Sequence, residues 1–472
     1  DYNEDELLAI MYSMAEKMEM RLEEDAMKKP ELLIPASSLE VLKTAVIYGA
    51  DAVYIGGEAF SLRAKAKNFS AEEMKEGIRF AHAHGVRVHV TANILAHNSD
   101  LEGAEAYFQE LRELRPDAIL VADPGMFMLA KDICPEIDIH ISTQANNTNY
   151  ETFRFWHDLG AKRVVAAREL SLRELKEIRE KIPSDLELEC FVHGAMCISY
   201  SGRCLLSAYM TGRNANLGAC THPCRWRYRL CEEGEKTLLS NGGEDFSSRD
   251  EEGGISYAVE EESRPGEYMP VFENERGTYI FNSKDLCMIE HIPELIQAGV
   301  DSLKIEGRMK TALYVATVAR TYRKAIDDFL ESEEKYRQNL PWYRDQIARC
   351  TYRSFTTGFY FDSCAEEAQI YDSNTYVNDY IYLGTVGGAA ACAESGMPLQ
   401  GERIGSIVSI EQRNKFCKGD QIEIMKPDGS DVIAQVLHIY TEEGDEQESA
   451  PHPKQKLRIA LTQKAEVGDI LR

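Results

Sequence analysis

Six cysteines lie close together in the middle of the sequence and are the residues best suited to chemistry. They fall within 42 residues of a chain that has twelve cysteines in all: Cys190, Cys197, Cys204, Cys220, Cys224 and Cys231. Such clustering indicates metal binding or redox chemistry. No C-x-x-C pair of the kind that structural zinc prefers occurs among them, and thiolates spread over loops suit an iron–sulfur cluster, which takes four cysteines. The spacing therefore favours a cluster, while zinc and buried thiols without a metal remain alternatives.

Four polar residues at the ends of predicted strands are candidates for catalysis, namely Arg168, His193, Glu306 and Arg308. The guanidinium fork matches carboxylate geometry, so the two arginines could hold a dicarboxylate. His193 directly precedes the loop that carries Cys197 and the cysteines after it, and we interpret His193 either as a hydrogen-bond donor or as a proton carrier. A structural ion pair between Glu306 and Arg308 is the alternative for those two residues. Other polar residues at such ends are Glu58, Arg63, Asn93, Asp123, Gln144, Asn146 and Glu169.

Eight predicted strands would position these residues. They span 31–36, 52–57, 87–93, 118–123, 138–143, 163–168, 186–193 and 302–308. Their runs are apolar on both faces, as in buried parallel strands, and most gaps between them have helical periodicity. Eight strand–helix units in about 300 residues predict an α/β fold, a TIM (β/α)8 barrel, whose chemistry lies at the carboxyl ends of the strands. An open doubly wound sheet is the alternative, although no G-x-G-x-x-G turn follows the first strand.

The chain divides into four predicted segments. Residues 1–30 form an N-terminal amphipathic helix, 31–332 the barrel, 333–378 a helical connector, and 379–472 a small C-terminal β-barrel of short runs separated by glycine turns. A long insertion after the seventh strand carries the cysteines and then an acidic stretch, 232–276, with 14 acidic and 4 basic residues. The acidic stretch lacks periodicity, and we interpret it as a solvated insertion.

The charge balance limits the kinds of partner that the whole surface can bind. The 472 residues include 53 Lys and Arg against 79 Asp and Glu, a net charge of −26. This argues against a globally basic surface for nucleic acid but leaves room for a local basic patch such as CRWRYR or GRMK, in which Arg225, Arg227 and Arg229 could contact phosphates. The other interpretation of CRWRYR is an edge strand with alternating exposure.

No sequence feature predicts a membrane span or export. The chain has no run of 18 apolar residues, and its N-terminus, DYNEDELLAIMY, lacks the basic start of a signal peptide. We therefore expect a cytoplasmic protein without membrane contact.

Several long motifs resemble one known family. The segment ELECFVHGAMCISYSGRCLLS is similar to the signature of the collagenase-like peptidase family U32, and so are PASSLEVLKTAVIYGADAVYIGG, STQANNTN and KIEGRMK. The resemblance covers about residues 31–330, and the C-terminal barrel resembles the accessory domain of many members. Within the family, the sequence most resembles the proteins of prephenate-dependent hydroxylation of wobble uridine in tRNA.

The resemblance implies a cofactor and its ligands. Members of that group bind a [4Fe–4S] cluster through four cysteines. Carried over motif by motif, the ligands are Cys197, Cys204, Cys220 and Cys287. Cys224 is the rival for the third position, and the acidic insertion lengthens the spacing before Cys287.

The resemblance also implies an activity, a hydroxylation at carbon 5 of a uridine in tRNA, with prephenate as the small dicarboxylate co-substrate. A paralogous subunit is a further implied partner. Two alternatives remain open: a peptidase, as the family name suggests, and a non-catalytic subunit that carries a cluster. The peptidase finds little support in the residues, because neither an H-E-x-x-H helix nor a G-x-S-x-G elbow occurs.

Overall fold

The structure is a computed structural model with two domains. It describes residues 28–57, 69–197, 199–211, 213, 215–217, 220–221, 223–225, 257–260, 268–274, 277–279, 284–350, 354–361, 380–390 and 404–472. The predicted N-terminal helix lies outside the described residues except for 28–30, which are not helical. Among the described helices, none is both long and apolar enough to span a membrane.

The larger domain contains thirteen described strands, eight of which form a closed barrel. In chain order they are β1 (Glu31–Pro35), β2 (Ala52–Gly56), β3 (Arg87–Ala92), β4 (Ala118–Val121), β5 (Asp138–Ile141), β6 (Arg163–Val165), β7 (Glu187–Ala195), β8 (Tyr257–Glu260), β9 (Tyr268–Asn274), β10 (Gly277–Tyr279), β11 (Asp285–Cys287), β12 (Ser302–Ile305) and β13 (Phe355–Thr356). Strands β1 to β7 pair in parallel in sequence order, and β12 pairs in parallel with both β7 and β1. The predicted TIM-type barrel is confirmed, and the open sheet is excluded.

Helices occupy most of the gaps between the strands. They are α1 (Leu39–Ile47), α2 (Ala71–Ala83), α3 (Asn98–Leu101), α4 (Ala104–Leu114), α5 (Pro124–Ile133), α6 (Tyr150–Leu159), α7 (Leu172–Lys181), α8 (Leu206–Thr211), α9 (Ile292–Gln297), α10 (Ala312–Glu331) and α11 (Glu333–Ala348). Serine side chains cap the amino-terminal ends of several of these helices. Ser70 and Ser171 each form a capping box with the glutamate three residues later, which satisfies backbone donors that the first turn leaves unpaired.

Charged side chains fill part of the barrel interior. Arg163 on β6 donates to Glu31 on β1 at 2.5 Å and to Glu189 on β7 at 2.9 Å, and Lys304 on β12 donates to Glu189 at 2.7 Å. Since β6 and β1 are not neighbours in the sheet, the first of these contacts runs through the interior. The prediction that the strands are apolar on both faces is therefore wrong for these positions, which are all buried.

Strand β7 extends beyond the barrel, and two further strands add to the sheet there. Its end pairs with β11 in antiparallel fashion, and β11 pairs with β13. Strands β8, β9 and β10 form a separate antiparallel sheet, and β8 and β9 fall inside the acidic insertion. Strands β8 and β9 are not predicted from the sequence, because the acidic composition of the insertion hides the short alternating runs YAVE and YMPVFEN.

The C-terminal domain is an antiparallel barrel, as predicted. Its strands are β14 (Gly384–Ala390), β15 (Ser406–Glu411), β16 (Phe416–Cys417), β17 (Gln421–Met425), β18 (Val432–Thr441), β19 (Glu446–Gln447), β20 (Ser449–Ala450), β21 (Lys456–Leu461) and β22 (Ile470–Leu471). Six of them, in the order β17-β22-β14-β15-β21-β18, close through the β17–β18 pair. The domain is joined to α10 by a buried ion pair from Arg320 to Asp431 at 2.5 Å, and to α1 by a hydrogen bond from Tyr48 to the carbonyl of Met425.

Candidate functional site

An arginine–glutamate pair stands at the carboxyl end of the barrel, which we call the mouth. Arg168 follows β6 and Glu306 follows β12, and Nη2 of Arg168 donates to Oε2 of Glu306 at 2.6 Å. The guanidinium carbon also lies 3.9 Å from the centre of the Phe191 ring on β7, which is a cation–π contact. Both charged side chains are at least four-fifths buried, so solvent screens this pair less than a surface pair. The carboxylate of Glu306 therefore forms an ion pair with Arg168. The alternative from the sequence, a pair between Glu306 and Arg308, did not include Arg168.

Arg308 lies near a set of neutral polar side chains at the same end. Its Nη1 donates to the hydroxyl of Thr91 on β3 at 2.8 Å, and its side chain is largely buried. Close by, Asn93 donates to the Ser142 hydroxyl at 3.0 Å, and the Gln144 amide donates to the Asn93 carbonyl at 3.2 Å. The mouth thus offers a cation beside a floor of amides and hydroxyls, which suits an anionic or strongly polar ligand.

His193 is enclosed rather than open to the mouth. Its side chain is 1% exposed, and burial lowers the pKa of the imidazole to about 3, with a smaller effect from the charge of Lys310. Its Nδ1 lies 3.4 Å from the Tyr322 hydroxyl, which donates to the carbonyl of Val192 at 2.9 Å. At neutral pH the imidazole is therefore neutral, which favours a hydrogen-bonding role for His193 over that of a proton carrier.

The segment that follows β7 lies across the mouth. We call residues 196–225 the β7 loop, and its described part is anchored at two points. A Cβ on Gly202 would lie 2.7 Å from Oε1 of Gln144, so the loop packs closely on the end of β5. Asn216 exchanges two hydrogen bonds of 3.0 Å with the backbone of Leu95, beyond β3. The loop therefore passes from β7 over the end of β5 to the end of β3.

The candidate ligands lie on segments that meet near this loop. Cys197 is the second residue of the β7 loop, and Cys287 is paired with His193 across the β11–β7 ladder. The backbone N–H of Thr221, directly after Cys220, donates to the Ser207 hydroxyl of α8 at 3.0 Å, and α8 begins two residues after Cys204. Cys197 and Cys287, far apart in sequence, thus both lie near the end of β7, while the segments of Cys204 and Cys220 contact each other.

The thiols are of the right chemical type for an iron–sulfur site but are not arranged as one. Within the part of the chain that the structure describes, no three His, Cys, Asp or Glu side chains come close enough to hold a metal ion. Burial also raises the pKa of the Cys287 thiol to about 12, which favours the neutral form over the thiolate that a metal needs. Cys190 is buried in the β7 core, as expected of a strand thiol.

Other predicted positions have mixed outcomes. Asp123, a candidate at the mouth, caps α5 by accepting from the backbone of Gly125 and Met126, which is a structural role. Glu58 and Arg63 lie outside the described residues, and so do Arg227 and Arg229 of the CRWRYR patch. No sequence pattern points to Phe191, Tyr322 or Asn216, because their roles come from partners distant in the chain. These partners are Arg168, His193 and Leu95.

Comparison with known proteins agrees with this architecture. The family model for peptidase family U32 matches residues 37–370, and the model for the peptidase family U32 C-terminal domain matches residues 399–472. The chain belongs to peptidase family U32. The two matches of this U32 protein correspond to the barrel and to the C-terminal domain.

Three relatives are similar to the U32 protein over most of its length. It is 37% identical over 446 residues to the tRNA hydroxylation protein P1 of Bacillus subtilis, covering 94% of this chain and 95% of the relative. It is 39% identical over 437 residues to the tRNA hydroxylation protein P of Escherichia coli, covering 90% and 92%. It is also 35% identical over 302 residues to a 23S rRNA 5-hydroxycytidine synthase of Escherichia coli, covering 64% of this chain and 40% of the relative.

Proposed function

We propose that this U32 protein is a tRNA-modifying enzyme that places a hydroxyl group on carbon 5 of the wobble uridine. The names of two relatives that match nearly the whole chain support hydroxylation of tRNA. The name of the third, a 5-hydroxycytidine synthase, supports carbon 5 of a pyrimidine as the position. The proposed co-substrate is prephenate, a dicarboxylate.

One structural observation carries the proposal: two arginines stand at the barrel mouth beneath the cysteine-bearing β7 loop. A tRNA hydroxylase must bind both the uridine and the co-substrate in one site. In barrels of this type, the active site lies at the carboxyl ends of the strands, which here form the mouth. Arg308, set among Thr91 and the amides of the floor, would bind one carboxylate of the co-substrate. Arg168 would bind the second, sharing its charge between that carboxylate and Glu306, while Phe191 keeps the guanidinium plane in place.

His193 would take part without changing its protonation state. Since burial keeps its pKa at about 3, its neutral ring can hold the Tyr322 hydroxyl and the end of β7 in position at any physiological pH. Proton transfer in the reaction would fall to groups nearer the mouth.

The proposed cofactor is a [4Fe–4S] cluster held by Cys197, Cys204, Cys220 and Cys287, with Cys224 as the rival for the third position. Bound there, such a group supplies a redox or Lewis-acid centre. Binding requires the four thiolates to approach more closely than they do in this structure.

Iron and sulfide analysis after anaerobic purification tests the ligand set. We expect about four iron and four sulfide per chain. Cys197→Ala and Cys204→Ala should each lower the iron content sharply. Cys417→Ala, a partly exposed thiol on β16 of the C-terminal domain, is the matched control and should retain the iron. Full iron in both ligand variants contradicts the ligand set.

Complementation tests the activity. An Escherichia coli strain that lacks its tRNA hydroxylation protein P is supplied with wild type, Arg308→Lys or Cys417→Ala, and its tRNA nucleosides are measured by mass spectrometry. Wild type and Cys417→Ala should restore hydroxyuridine-derived nucleosides. Arg308→Lys should fail, because lysine lacks the two-pronged donor, and loss of a charge-assisted pair lowers the rate on the order of a hundredfold. Normal nucleoside levels with Arg308→Lys would exclude the carboxylate-binding role of Arg308.

A further inference from the structure

The β7 loop belongs to a stretch whose charge is opposite to that of the rest of the chain. About one residue in six of the whole protein is Asp or Glu, yet the 42 residues from Cys190 to Cys231 contain neither and include five arginines. With five arginines and no acidic residue, this stretch has a formal charge of +5 in a chain of net charge −26. Local positive charge attracts polyanions even where the overall charge repels them.

The described part of this stretch exposes large apolar side chains together with arginines. Tyr200 and Leu205 are 45% and 73% exposed, and Arg203 and Arg213 are also exposed. Met309, 60% exposed, follows the neighbouring strand β12 and adds to the same end of the barrel. Exposed aromatic and apolar groups next to cations are typical of surfaces that bind single-stranded nucleic acid, because bases stack on the rings and phosphates meet the cations.

We propose that Tyr200, Arg203, Leu205, Arg213 and Met309 form a docking surface for an unpaired RNA loop. The inference rests on the proposed function and deepens it, since it assigns the residues that receive the tRNA. Arg203 and Arg213 contact phosphates, and Tyr200 stacks on a base next to the one that enters the mouth. A base inside a duplex cannot reach the mouth, so the substrate must present it unpaired or flipped out.

The anchors of the β7 loop hold this surface in place before RNA arrives. The turn that carries Tyr200 and Arg203 is closed by a backbone hydrogen bond of 3.1 Å between them, and Gly202 inside the turn packs on Gln144. Asn216 fixes the far end of the loop to Leu95. Because the turn sits on the end of β5, a stacked base lies directly above the floor of the mouth.

Binding of unmodified tRNA to the full-length, anaerobically purified protein tests the surface by fluorescence anisotropy over a range of salt concentrations. The double variant Arg203→Gln/Arg213→Gln should bind about tenfold more weakly, and its salt slope should fall by about 1.4, since each cation on a single strand contributes about 0.7. The matched control is Arg337→Gln, which removes an exposed arginine from α11. It should leave both quantities unchanged.

A second comparison separates stacking from charge. Tyr200→Ala should weaken binding of an RNA stem with an unpaired loop on the order of tenfold, but should hardly change binding of a fully paired duplex of the same composition. Phe155→Ala removes a ring of similar exposure from α6 and is the control. Leu205→Glu changes a side chain that is 73% exposed, so the variant should fold and should bind the loop RNA more weakly because of charge repulsion.

The binding and complementation results test the docking surface separately from the proposed function. Unchanged affinity and salt slope in the double variant, or equal binding of loop and duplex by wild type, overturns the docking surface. If these variants still restore the modified nucleosides in cells, the docking surface fails while the proposed function stands. If they bind tRNA normally but lose a protein partner in pull-down experiments, the surface is a protein interface instead. A wild-type protein that neither binds tRNA nor restores the nucleosides overturns both proposals.

Discussion

Removing Arg163 should destabilise the barrel strongly, because this residue holds its buried charges together. Its guanidinium, 1% exposed, lies 2.5 Å from Glu31, 2.9 Å from Glu189 and 2.6 Å from Glu187. Burial by itself would raise the pKa of Glu31, but the surrounding positive charges, of which Arg163 contributes most, together outweigh burial and lower that pKa from 4.5 to about 2. A shift of this size corresponds to about 3 kcal/mol of folding free energy at neutral pH.

The variant Arg163→Met keeps much of the side-chain volume and removes the charge. Glu31 then stays buried without its main partner, and Glu189 loses one of its partners but keeps Lys304. Loss of one member of a buried pair typically costs about 3–5 kcal/mol, and we expect a loss of this order for Arg163→Met. Urea unfolding followed by circular dichroism measures the change in the free energy of unfolding. Arg337→Met removes an exposed arginine that pairs with Glu333 and should leave the midpoint nearly unchanged.

The pH dependence gives an independent check on the same network. The pKa of Glu31 is lower in the folded state, so its contribution is present above pH 4.5 and is lost as the pH falls towards 2. In Arg163→Met this contribution should be absent, and the difference in stability between the two proteins should shrink as the pH falls through this range. A folded Arg163→Met variant that loses less than about 1 kcal/mol at neutral pH would refute this account of the barrel interior.

Three further predictions concern the region around the mouth. Gly194→Ala should destabilise the protein by more than about 1 kcal/mol in thermal unfolding, because its φ is +110° and a Cβ would lie 2.6 Å from the Glu306 carbonyl oxygen; a smaller loss contradicts this packing. Asn216→Ala should speed amide hydrogen exchange in the β7 loop, while unchanged exchange would mean that the loop has other anchors. The pKa of His193 is about 3 in the folded protein and near 6.5 in the unfolded chain, so the unfolded chain takes up the proton first as the pH drops below 6.5. The free energy of unfolding should therefore fall with pH in this range, and His193→Gln should weaken that dependence.

The barrel could be predicted from the sequence because its strands have a strong signature. Runs such as AVYIGG and AILVAD are continuous and apolar, and the helical segments between them repeat in order. The charged interior could not be predicted, because the sequence of one strand does not show which strand faces it across the barrel. Arg163 and Glu31 are 132 residues apart, and only closure of the sheet brings them together.

The candidate site was predicted in part for a similar reason. Strand ends correctly indicated that Arg168 and Arg308 stand at one end of the barrel, since parallel strands share their direction. The ion pair between Glu306 and Arg168 could not be predicted, because these residues are 138 positions apart in sequence. Arg308 is much nearer to Glu306 in sequence and was therefore the partner considered. The path of the β7 loop over the mouth depends on single contacts, such as that of Asn216 with Leu95, for which no sequence pattern exists.

The most direct test of the central claim is a reaction with purified components. Anaerobically purified protein is incubated with tRNA that lacks the wobble modification and with prephenate, and the digested nucleosides are analysed by mass spectrometry. We predict a uridine that gains one oxygen at carbon 5, formed only when tRNA, prephenate and wild-type protein are all present, and absent with Cys204→Ala. No hydroxylated uridine from protein with full iron content, together with cleavage of gelatin that depends on Cys197, would contradict the claim and show that the barrel serves a peptidase.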